Sequence, residues 1–112
     1  MENILKEAHE AANKAQAVFI DKYGDTMYCG FAWVRVKPAK GPFITYCKKE
    51  GLKQKNDRYF GSLSIDGGGG WMFSSPGTYR GQSMDIKEAG AWAFAEVLRS
   101  YGINAYASSR AD

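Results

Sequence analysis

A chain of 112 residues with 45% hydrophobic content, three Trp, seven Tyr and six Phe has the apolar mass for one domain with one core. Its net charge of +3 suits a basic patch but falls short of the charge density of a dedicated duplex-DNA binder. With Cys29, Cys47 and a single histidine, His9, a structural zinc site of four Cys or His ligands is excluded, and neither a metal nor a cofactor is called for.

The first element is a helix over residues 2–20, with Leu5, Ala8, Ala12, Phe19 and Tyr23 on one side and Glu2, Lys6, Glu10 and Lys14 largely elsewhere. Gly24, in KYGD, caps its end. The segment MYCGFAWVRVKP then alternates as a strand: Ala32, Val34 and Val36 face one way, and Phe31, Trp33, Arg35 and Lys37 the other. Pro38 ends it. Residues 41–51 form a short helix with Pro42 in the first turn, followed by the polar loop KQKND.

RYFGSLSI and WMFSS flank the turn at residues 66–70 as a hairpin, and residues 75–81 form a second, glycine-containing loop. Asp85, with Glu88 three residues on, starts the longest core helix in the manner of a capping box; Gly102 closes it. INAYASSR is the last strand. The order after the first helix is β-α-β-β-α-β. The expected class is therefore α+β: residues 1–23 as an N-terminal helix on a ferredoxin-like core of residues 27–110, within one domain spanning 1–112.

The GGGG run at 67–70 is followed by WMF and by no lysine, so it fails both the P-loop and the dinucleotide fingerprints and reads as a hairpin turn. The strand faces are more informative. If Ala32, Val34 and Val36 meet the helices, the opposite face gathers Trp33, Arg35, Tyr106, Ser108 and Arg110, joined by Trp71 or Phe73 from the hairpin. Aromatic rings beside guanidinium groups stack a base while neutralising a phosphate. Two arrangements stay open at this point: the N-terminal helix covers this face, or it leaves part of it bare.

Tyr79, Arg80, Gln82 and Ser83 precede the long helix and form a candidate anion contact at its N-terminus. On that helix Trp92 lies about 160° round from Phe94, among Ala95, Glu96 and Arg99, which marks Trp92 and Arg99 as a candidate subunit interface. Catalytic groups are poorly represented. His9 reads as a solvated side chain without an Asp or nucleophile partner, and Cys29 follows no helix start. There is no HExxH, no GxSxG and no acidic cluster, so the expectation is a binding protein and not an enzyme.

MENILKEAHEAANKAQ has no apolar run of the kind a secretion signal needs, and AWAFAEVL, broken by Glu96, is far shorter than a membrane span. A soluble, cytoplasmic protein with reduced thiols is expected, with no membrane partner.

The segments CGFAWV, KEAGAWAFAEVLR and AYASSRAD resemble a family of small accessory proteins of tailed bacteriophages. The likeness extends over nearly the whole chain and is weakest in residues 1–26 and 52–70. It implies an accessory, non-virion role in the cytoplasm of an infected bacterium, and its motifs carry no established chemistry. Small phage proteins of this kind often counter host defence. The expected function is a non-catalytic, homo-oligomeric sponge for a nucleotide-like signal, with Trp33, Trp71 or Tyr106 stacking and Arg35, Arg80 and Arg110 contacting phosphate. The alternatives are a single-stranded nucleic-acid module on the same face and an inhibitor that binds a host protein.

Overall fold

The computed structural model describes residues 1–26, 28–54, 59–63 and 70–111. The chain runs α1 (Glu2–Tyr23), β1 (Gly30–Val36), α2 (Pro42–Gln54), β2 (Ser62–Leu63), β3 (Trp71–Ser74), α3 (Met84–Ser100) and β4 (Ala105–Ala111). The class is α+β, with one four-stranded sheet in the order β2-β3-β1-β4 and every neighbouring pair antiparallel. Among the described residues no helix is long and apolar enough to cross a membrane.

The period-two pattern of β1 decides which side of the sheet is covered. Ala32, Val34 and Val36 are at most 3% exposed and belong to one core with Phe73 of β3, Phe43, Ile44 and Cys47 of α2, and Phe94 and Leu98 of α3. Rings carry much of that contact: Phe73 lies 4.9 Å from Phe94 and 6.2 Å from Phe43, centroid to centroid. Leu5, Ala8 and Ala12 of α1 enter the same core, so all three helices gather on one side of the sheet. The question of α1 is thereby answered: it lies against α3 and leaves the Trp33 face bare.

The stripe of α1 differs from expectation in its second half. After Ala12 the next buried residue is Gln16, while Tyr23 is 60% exposed. Gln16 Nε2 donates to the Pro76 carbonyl at 3.0 Å, and its Oε1 accepts from the Tyr79 amide at 3.2 Å. Both ends of the amide are used, which is the condition for burying one. The side chain fits because two glycines face it: a Cβ at Gly77 or at Gly90 would collide with the Gln16 amide, and one at Gly90 would also stand 2.8 Å from the Pro76 carbonyl.

The long helix begins earlier than the Asp85–Glu88 pattern suggests. Ser83 is its N-cap and accepts from the Ile86 amide at 3.3 Å. Thr26 fixes that choice, donating to Asp85 at 3.0 Å and accepting from the Ser83 hydroxyl at 2.7 Å. The turn expected at 66–70 lies outside the described residues except for Gly70. That residue has φ +90, and a Cβ there would sit 2.7 Å from the Val36 carbonyl, so only glycine lets β3 start so close to β1.

Candidate functional site

The uncovered sheet face is built by three strands whose register sets who stands beside whom. Across β1 and β4, Phe31 pairs with Arg110, Trp33 with Ser108 and Arg35 with Tyr106. Across β1 and β3, Trp33 pairs with Ser74 and Arg35 with Met72. The half-buried indole of Trp33 therefore has a serine directly opposite it on each neighbouring strand. Phe31, Trp33, Met72 and Arg110 line a hollow of about 310 Å³ on this face. Phe31 is 44% exposed there.

Arg110 lines the hollow, Arg35 shares the same sheet face, and Lys87 of α3 approaches the Phe31 ring. The Lys87 ammonium is largely buried, donates to the Gly30 carbonyl at 3.0 Å and stands 5.2 Å from the centre of the Phe31 ring. Chemically the arrangement offers flat apolar surfaces beside fixed cations, suited to a planar, negatively charged molecule. Among the described residues no group of three His, Cys, Asp or Glu is placed to hold a metal ion.

Five expected residues thus come together: Trp33, Arg35, Tyr106, Ser108 and Arg110 share the face. Trp71 does not join them, nor does Phe73. Trp71 registers with Val36 and Phe73 with Val34, so both rings enter the core side. Trp71 is 5% exposed, and its Nε1 donates to the Phe60 carbonyl at 2.9 Å. The face takes Met72 from β3 instead, a residue sequence reasoning passed over. Alternation within WMFS separates Met72 from Trp71 and Phe73, but which pair faces Trp33 depends on the register between strands.

Tyr79 and Arg80 are also elsewhere, on the loop that runs from β3 to α3. Tyr79 is a structural tie: its hydroxyl donates to both Asp25 carboxylate oxygens at 3.0 Å and accepts from the Ser83 amide at 3.0 Å. Burial is the largest cause raising the phenol's pKa; the Ser83 amide opposes the rise and Asp25 adds to it. The first turn of α3 carries its own cap, Ser83, and its own acid, Asp85. Arg80 turns away from it, donating through Nη1 to the carbonyls of Gly77 at 3.1 Å and Tyr79 at 3.2 Å.

Trp92 is 47% exposed on α3, as its position opposite Phe94 requires, whereas Ala95, expected beside it, is buried in the core. Arg99 braces the start of β4, donating to the Ala105 carbonyl at 2.8 Å. His9 is not a solvated side chain. It stacks on Tyr59 with centroids 4.0 Å apart, meets Phe94 edge-on at 4.9 Å, and its Nε2 donates to the Tyr59 carbonyl at 3.3 Å. Neither cysteine forms a disulfide; burial pushes the Cys47 thiol from 9.0 up to about 12, which leaves it inert.

Compared with protein-family models, with curated proteins and with solved structures, the chain matches none.

Proposed function

We propose that the protein binds a nucleotide-type molecule, without transforming it, on the uncovered sheet face. One observation carries this reading: Trp33, flanked by serines, stands between Arg35 and Arg110 on the side of the sheet that the helices leave bare. A base stacks on Trp33 or Phe31, and phosphate groups pair with the two arginines. The β-α-β-β-α-β element order with neighbouring strands antiparallel supports treating the core as ferredoxin-like, with this face as its open surface. In the phage setting that the sequence resemblance implies, such binding sequesters a host defence signal in the bacterial cytoplasm. The functional unit is a homo-oligomer assembled through Trp92.

A release assay tests the reading. The protein is incubated with a panel of cyclic and linear signalling nucleotides, freed of unbound material and heat-denatured, and the supernatant is analysed by mass spectrometry. An intact nucleotide, lost in Trp33→Ala and Arg110→Ala variants, is the expected result. A chemically altered nucleotide makes the protein an enzyme, and an empty supernatant overturns the small-molecule reading. Affinity that grows with strand length and falls steeply with salt in a parallel oligonucleotide titration would place single-stranded nucleic acid on this face instead.

A further inference from the structure

A second hollow, of about 240 Å³, lies on the helix side of the sheet, between α1 and the loop of residues 75–80. Its lining includes His9 and Asn13 of α1 and Ser75, Gly77, Thr78 and Arg80 of the loop. These side chains offer hydrogen-bond donors, and no acidic residue lines the hollow among the described residues. Asn13 Oδ1 accepts from the Thr78 amide at 2.8 Å, which leaves the amide hydrogens of Asn13 as its remaining polar function. The Arg80 guanidinium is oriented by two carbonyl oxygens of its own loop, which position the cation without neutralising it. Among the described residues it has no carboxylate partner.

The loop is also held in an uncommon shape. Ser75 has φ 45, a left-handed conformation that non-glycine residues seldom adopt, and Gly77 has φ 97. Gln16 and Asn13 over-determine that shape through the Pro76 carbonyl and the Tyr79 and Thr78 amides. A backbone so fixed holds Arg80 in the lining of the hollow with Ser75 and Thr78 before any ligand arrives.

We infer that this hollow is an anion site for a phosphoryl group, with Arg80 as its charge and Ser75, Thr78 and Asn13 as its hydrogen-bond donors. Its volume is below the range usual for drug-sized ligands, so it takes a free phosphate or the terminal phosphate of a larger molecule. The site does not depend on the nucleotide reading, because the two hollows lie on opposite sides of the sheet.

The test is a ¹H–¹⁵N titration of the full chain with inorganic phosphate, matched in ionic strength by chloride. Saturable shifts of the Gly77 and Thr78 amides and of the Arg80 Nε–H group are expected. Arg80→Gln should weaken the apparent affinity at least tenfold, Thr78→Val should weaken it measurably, and Lys49→Ala, on the exposed side of α2, should leave it unchanged. Shifts that rise linearly without saturating, an Arg80→Gln variant that binds as tightly as the parent, or Gly77 and Thr78 amides that do not move would each overturn the site. The same titration with a nucleoside monophosphate separates a free anion from a terminal phosphate: tighter binding at the same amides identifies the latter.

Discussion

Gln16 reverses the usual sign of a substitution. Replacing a glycine inside a helix by alanine normally stabilises by about 1 kcal/mol, because alanine loses less backbone freedom on folding. At Gly90 the added methyl meets the buried Gln16 amide and the Pro76 carbonyl, so Gly90→Ala is expected to destabilise by about 1–3 kcal/mol in urea unfolding. In a Gln16→Ala background the cost should shrink without vanishing, since the carbonyl remains; a purely additive double mutant would count against the contact. Cys47 sets a pH dependence of its own. Its folded pKa is raised from 9.0 to about 12, so between those values the unfolded chain has released a proton that the folded chain retains. Stability is thus independent of this group below about pH 8 and falls as pH rises from 9 towards 12. Cys47→Ala should flatten the fall just above pH 9 and lessen it above pH 10, where the raised Tyr46, Tyr79 and Tyr101 keep a part of it.

At the scale of elements, the start of α3 depends on residues far away in the chain. Ser83→Ala removes both the cap on Ile86 and the partner of Thr26, and should cost about 1–2 kcal/mol by thermal or urea unfolding. Asp85→Asn, which keeps a hydrogen-bond acceptor for Thr26, should cost less. That dependence also shows what could be read in advance. The interior of α3, the alternation of β1 and the gathering of Trp33, Arg35, Tyr106, Ser108 and Arg110 follow from patterns local to each segment. The first turn of α3 does not: Ser83 and Asp85 are both competent caps, and Thr26, 57 residues from Ser83, decides between them. The side taken by Trp71 was hidden for a similar reason. β3 has four residues, both its faces carry large apolar groups, and only pairing with β1 fixes which of them is buried. In α1 the Leu5–Ala8–Ala12 stripe was legible, but its continuation through Gln16 answers to the loop beside it and not to hydrophobicity.

At the scale of the molecule, the described chain has a radius of gyration of 13.3 Å over its Cα atoms, a value usual for a single compact chain of this length. Apolar surface remains along α1 and α3, where Val18 is 57% and Trp92 47% exposed and a hollow of about 470 Å³ is lined by Ala11, Ala15, Phe19 and Ala89. If copies associate there, X-ray scattering should show a radius of gyration that grows with concentration in the parent and stays near the single-chain value in Trp92→Glu. An identical concentration series for both proteins would remove Trp92 from any interface. The latch that holds α1 has a consequence for synthesis. Gln16 leaves the ribosome well before Pro76, its carbonyl partner 60 residues on, and before Phe94, whose ring His9 meets. Until then Leu5, Ala8 and Ala12 have nothing to cover them. At about 5–20 residues per second the helix waits several seconds for its berth, and in that interval the nascent chain is open to chaperones and proteases.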